Sequence, residues 1–179
     1  MKIPVGISSC LLGQPVRWDG GHKRHAYIND TLGEHFDFRA FCPEVAIGLG
    51  VPREPIRLVS HDSHNIASAT RAVGIENPSR DLTEQLTENA LAQKEWQNEL
   101  CGYIVKKGSP SCGMDHVKVY INDQAQRKGR GLYTRTLMKS FPNLPVEEEG
   151  RLDDPRLRES FIRRVFCYYR WRCLTENST

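Results

Sequence analysis

The sequence predicts one α/β domain, a sandwich organised around a mainly parallel sheet. Strand-like and helix-like segments alternate along the whole chain, and no internal repeat, low-complexity tract or linker interrupts them. The 179 residues suffice for one hydrophobic core and little beyond it.

Each element has a local reason. Ile3–Ser8 is a β-branched apolar run that halts at Ser9-Cys10 and reaches Gly13, the pattern of a buried strand delivering a cysteine into a loop. Phe36–Phe41 alternates Phe, Asp, Phe, Arg, Ala, Phe, a half-buried strand that ends at Cys42-Pro43-Glu44. Ile56–Ser60 reads as a strand and Asp62–Asn65 as a polar turn. Asp81 opens a helical stretch to Leu100, with Asp81 as N-cap, Glu84 three residues on, and Leu82, Leu86, Leu91 and Trp96 as its apolar stripe. Gly102–Val105 is a strand running into Lys106–Gly113. Val117–Ile121 is strand-like, Gly131–Phe141 helical, and Leu144–Val146 a last short strand before an acidic turn. Asp154 caps a final helix with Pro155 at its first position. The expected domain is residues 1–172, with 151–172 its C-terminal helical segment and 173–179 a polar tail.

Composition narrows the classes. With 39% hydrophobic and 26% charged residues the chain is ordinary globular protein, which excludes wholesale disorder. No apolar stretch is long enough to cross a bilayer, and the N-terminus lacks a secretory h-region, so the expectation is a cytoplasmic protein. Net charge is a mild +3, but seven arginines stand between Arg151 and Arg172, and His22-Lys23-Arg24-His25 forms a second basic cluster. Solvated faces explain both; a phosphate-bearing partner is the other reading.

In a reducing compartment the six cysteines are buried fillers, nucleophiles or metal ligands. Cys10, Cys42 and Cys112 share a context that Cys101, Cys167 and Cys173 lack: each follows a predicted strand, in a segment rich in Gly, Pro and Ser. Loops at the carboxyl ends of parallel strands converge on one crevice, so separations of 32 and 70 residues are no obstacle to a shared site. There is no CxxC, so spacing alone leaves structural cysteines and a metal or cluster site both open. Glu44 lies two residues from Cys42 and Ser109 three from Cys112. Glu44 can serve as a general base or simply complement a helix N-terminus; Ser109 can be a polar site residue or a turn serine before Pro110.

Gly6–Gly13 (GISSCLLG), Cys42-Pro43-Glu44 and Ser109–Gly113 (SPSCG) together resemble the three signatures of the thiouracil desulfidase (TudS) family, and Val16–Lys23 fits the same pattern. The longer pattern is similar to the desulfidase half of two-domain 4-thiouridine desulfidases (RudS), up to about Arg172. Their second domain has no counterpart in this sequence.

The resemblance implies a Rossmann-like three-layer fold and a [4Fe–4S] cluster held by Cys10, Cys42 and Cys112, with one iron lacking a protein ligand. It implies catalytic roles for Glu44 and Ser109; Trp18, Asp19, Lys23 and Arg24 are the expected substrate contacts, with the basic Lys23 and Arg24 placed to hold a phosphate. Trp18 stands where relatives often carry tyrosine, which retains a stacking surface. The implied reaction is non-redox hydrolysis of a 4-thiouracil derivative with release of sulfide; the substrate is a thiolated base, a nucleotide or tRNA. Two other classes compete: a zinc-stabilised RNA-binding module completed by His22 or His116, and a hydrolase with Cys112 as nucleophile and His116 as base.

Overall fold

The computed structural model describes residues 2–176. Its strands are β1 (Ile3–Ser8), β2 (Phe36–Phe41), β3 (Ile56–Ser60), β4 (Thr70–Gly74), β5 (Tyr103–Val105), β6 (Val117–Ile121), β7 (Gln124–Gly129) and β8 (Val146–Glu148). Its helices are α1 (Ala26–Asp30), α2 (Pro43–Ala46), α3 (Ile66–Ala69), α4 (Thr83–Ala92), α5 (Lys94–Gln97), α6 (Leu132–Ser140) and α7 (Pro155–Glu176).

Four strands form a wholly parallel sheet in the order β2-β1-β5-β8. Alternation along each strand sends side chains to opposite faces. Ile3, Val5 and Ile7 of β1 join Ile104 of β5 and the α1 and α7 residues Ile28, Phe161 and Val165 in one core. Tyr103 and Val105 face the other way, toward Ala90 of α4 and Tyr133 and Leu137 of α6. The result is the expected three-layer α/β sandwich.

A second four-stranded sheet, β4-β3-β6-β7, was not expected. It pairs β3 with β6 in parallel and adds an antiparallel partner on each outer side. It packs on α4 and α6 through Leu58, Val119, Leu86 and Leu132. The two strands missing from the sequence reading are its edges. Gln124–Gly129 is polar because one side of an edge strand faces water. The β6–β7 turn is Asn122-Asp123, both at positive φ, the geometry of a two-residue type I′ hairpin.

Three expectations shift. The Asp81–Leu100 helix is two helices with a break at Gln93, and it starts at Thr83 with Leu82 at the N-cap. Asp81 instead receives the Thr83 amide at 2.9 Å and pairs with Arg71. Ala90 rather than Leu91 joins the buried face, because four residues from Leu86 stays on one side of a helix and five does not. The last strand covers Val146–Glu148, not Leu144–Val146, and α7 continues past Arg172 to Glu176; residues 177–179 of the expected tail lie outside the described residues. Asp154 caps α7 as expected, its Oδ1 accepting the amides of Arg156 at 2.8 Å and Leu157 at 3.2 Å. Among the described residues no helix is long and apolar enough to cross a membrane.

Candidate functional site

The carboxyl ends of β1, β2 and β5 open into a cavity of about 580 Å³, and Cys10, Cys42 and Cys112 all line it. Each arrives by a different device. Cys10 sits in a 3-10 turn, Ser9–Leu12, closed by Gly13 at φ 92°, a left-handed conformation that glycine adopts without strain. Cys42 is the N-cap of α2, with Pro43 at the first helical position. Cys112 lies on the Lys106–Gly113 loop, which the start of α6 grips. The amides of Leu132 and Tyr133 donate to the carbonyls of Pro110 and Ser111, and the Thr134 hydroxyl donates to the Cys112 carbonyl at 2.6 Å. Donors that every helix start leaves unpaired are satisfied here by the loop that carries the thiol.

Two carboxylates of β8 and the turn after it clamp that loop at both ends. Glu148 accepts the Met114 amide at 2.8 Å, and Glu149 accepts the Lys107 amide at 2.6 Å while pairing with Lys106. The run Glu147–Glu149, read from the sequence as an acidic turn, is buried, and each carboxylate has a partner; Glu147 pairs with Arg151 and Arg164.

Gly131 has to be glycine. A β-carbon there would meet Ser111 C and O at 2.5 Å and Cys112 N at 2.7 Å, all backbone atoms. Gly131→Ala is expected to displace the cysteine loop and destabilise the protein by about 1–3 kcal/mol, the usual overpacking cost. A urea denaturation midpoint equal to wild type would contradict this tight approach.

The thiols are dry. Burial pushes the Cys10 thiol up to about 11, with Lys106 opposing the rise. Burial likewise raises Cys42, against the amides at the start of α2, and raises Cys112, where Cys42 and Glu44 add to the effect. Desolvated thiols that converge with carboxylate nearby favour binding a positively charged, sulfur-loving centre over standing as free thiolates.

Glu44 is buried beside them and both of its oxygens are engaged. Oε2 accepts Arg53 Nε at 2.8 Å, and Oε1 accepts the Ser111 hydroxyl at 2.6 Å. Arg53 is itself fixed by the carbonyls of Val16 and Gly50, both at 2.9 Å. Ser109 Oγ lies 3.0 Å from Ser111 Oγ and accepts the Cys112 amide at 3.1 Å.

A family model described as 2-thiouracil desulfurase matches residues 5–149. The chain belongs to the 2-thiouracil desulfurase family. It is similar to the uncharacterized protein YbbK of Bacillus subtilis (strain 168), 30% identical over 109 residues that cover 60% of this chain and 71% of YbbK. Among solved structures it is similar to a [4Fe-4S]-dependent thiouracil desulfidase, TudS, with a TM-score of 0.64 and 31% identity, over 89% of this chain and 97% of that one.

Within this desulfurase-family domain the remaining residues singled out from sequence divide. Trp18 and Lys23 line the cavity with the three cysteines, Glu44 and Ser109. Asp19 and Arg24 are not among its lining residues. Asp19 accepts the Gly21 amide at 3.0 Å and shapes the turn, and Arg24 pairs with Asp30 at 2.6 Å. His22 accepts the Arg24 amide, also outside the lining. The His116 side chain is 77% exposed while Cys112 is buried, so these two do not form a nucleophile–base pair. Among the described residues no three His, Cys, Asp or Glu side chains stand close enough to share a single ion, as zinc with bonds of about 2.3 Å to sulfur would require. Three cysteines lining one cavity suit the several irons of a cluster rather than a single ion.

Ser111, Arg53, Lys106 and Glu148 were missed in the sequence reading. Ser111 stands inside the SPSCG signature, two residues from Ser109, and that was its only local signal. The other three are identified by partners distant in the chain.

Proposed function

We propose that this protein is an iron–sulfur-dependent desulfidase that hydrolyses a 4-thiouracil derivative to the uracil form and releases sulfide, in the reducing cytoplasm. The observation that carries the reading is the meeting of three desolvated thiols and the Glu44–Ser111–Ser109 hydrogen-bonded set in one cavity. Cys10, Cys42 and Cys112 would hold a [4Fe–4S] cluster. When bound, the cluster supplies a Lewis-acidic iron matched to a soft thiocarbonyl sulfur.

The chain's own residues do the rest. Glu44 takes a proton from the attacking water, its orientation held by Arg53, whose side chain is only 5% exposed. Ser109 supplies a hydroxyl on the same wall. Trp18 and Ile75, both exposed at the cavity, offer apolar faces to a pyrimidine ring. A thiocarbonyl and water become a carbonyl and hydrogen sulfide with no net electron transfer.

Charge around the cavity favours a phosphorylated substrate. Arg17, Lys23, Arg53, Lys106 and Lys107 line it, and Glu44 is the one carboxylate among the described lining residues. Arg53, Lys106 and Arg17 are paired with Glu44, Glu149 and Asp19, and Lys23 and Lys107 give the cavity its positive balance. Arg172, late in α7, serves elsewhere: it binds the carbonyls of Asn98 and Leu100, at the opposite end of the parallel sheet. A nucleotide, free or as 4-thiouridine in tRNA, therefore fits better than a free base.

The test is sulfide release by anaerobically reconstituted protein from 4-thiouracil, 4-thiouridine monophosphate and thiolated tRNA. The nucleotide is expected to exceed the base in kcat/KM by at least about tenfold, the worth of one charged hydrogen bond. Sulfide release from none of the three would end the proposal; equal turnover of base and nucleotide would remove the phosphate reading alone.

A further inference from the structure

We infer that Ser111 relays protons between Glu44 and Ser109 and is the positioning residue through which the two act together, an inference that rests on the desulfidase reading above. Donor counting sets the direction of the chain. Glu44 is paired as a carboxylate with Arg53 at 2.8 Å and can only accept. Its 2.6 Å contact therefore takes the single hydroxyl proton of Ser111, ahead of the longer 3.8 Å contact with Cys112 Sγ. At the 3.0 Å contact with Ser109, Ser111 Oγ can then only accept, which makes Ser109 the donor. Ser109 Oγ meanwhile accepts the amides of Cys112 at 3.1 Å and Ser111 at 3.3 Å. At rest the Ser109 proton points along the wall toward Ser111, not into the cavity.

A proton taken from water by Glu44 reverses this polarity. The new Glu44 O–H donates to Ser111 Oγ, Ser111 passes its own proton to Ser109 Oγ, and Ser109 releases its proton toward the departing sulfur. Each serine breaks one O–H bond and forms another, so both end neutral and Glu44 returns to the carboxylate. The hydroxide left from water forms the C–O bond to the ring carbon, and the C–S bond breaks with its electron pair leaving on sulfur as hydrosulfide. The hydroxyl proton lost as the carbonyl forms completes hydrogen sulfide. Ser111 is buried, with only 1% of its surface exposed, so bulk water does not replace it as the link. Arg53 behind Glu44 keeps the carboxylate aimed at Ser111 through the reversal.

The experiment compares Ser109→Ala, Ser111→Ala and the double variant in the full chain, reconstituted with iron and sulfide. Each single change is expected to lower kcat by about 100-fold, at the low end of general acid–base contributions. KM and iron per chain are expected to stay within about twofold, and the double variant to be no more than about threefold worse than the worse single, because either change breaks the same chain. The solvent-deuterium isotope effect on kcat should report several protons in the wild type and one in Ser111→Ala. Should Ser111→Ala not fold, Ser109→Ala at the half-buried end carries the same isotope prediction. The relay is overturned if Ser111→Ala keeps kcat within twofold, if the double loss equals the product of the single losses, or if iron falls while turnover per iron is unchanged. Those outcomes leave the desulfidase reading standing. Absence of sulfide release by wild type removes both.

Discussion

Cys112→Ala is expected to leave the chain without its full complement of iron and to lower sulfide turnover by more than about 100-fold, since losing merely a group that hydrogen-bonds a ligand costs about 10–100-fold in metal affinity or activity. The loop that carries Cys112 does not depend on its thiol for its shape. Its carbonyls are held by the first turn of α6 and its flanking amides by Glu148 and Glu149, so the variant should fold with the loop in place. Iron and acid-labile sulfide per chain after anaerobic reconstitution measure the effect, with Cys101→Ala as comparison. Cys101 is packed in the core against α7, away from the cavity, and its loss should touch stability and not iron. Stoichiometric iron and full turnover in Cys112→Ala would refute the ligand assignment.

Glu44→Gln should keep the iron and lose the chemistry. A glutamine amide cannot take a proton from water, and kcat is expected to fall by about 10²–10⁴-fold, the range of a general base. It also presents a donor to either Arg53 Nε or the Ser111 hydroxyl, both of which already donate. The Arg53 side chain is nearly fully buried, so stability falls as well, by at most about 3–5 kcal/mol, the cost of breaking a buried ion pair. Turnover per iron-loaded, folded chain separates the two effects. A kcat within about twofold of wild type would remove Glu44 from the mechanism.

How much of this site is visible in the linear chain depends on how local its causes are. Cys10 and Cys42 follow strands whose hydrophobic patterns are complete within six residues, so their delivery to the sheet edge is readable. Ser111 is different: its role lies in a bond to Glu44, 67 residues away, and a serine between proline and cysteine carries no mark of that. The partners of Glu148 and Glu149 are hidden for the same reason. Glutamate in a short acidic run is ordinarily exposed, and the amides of Met114 and Lys107 with the Lys106 ammonium make burial tolerable. The edge strands β4 and β7 escape because neither alternates: β4 is short and buried at all but Arg71, and β7 is polar and exposed along most of its length.

The sequence by itself determined the parallel α/β core, the ends of its main strands and the three cysteine-bearing loops, because apolar periodicity and Gly–Pro punctuation act within a few residues. Only the tertiary structure decided which polar groups face those thiols, in what order Ser109, Ser111, Glu44 and Arg53 are wired, and which basic residues line the cavity. Hydrogen bonds and ion pairs join atoms by distance in space, and folding sets that distance for residues whose neighbours in the chain hold no record of it.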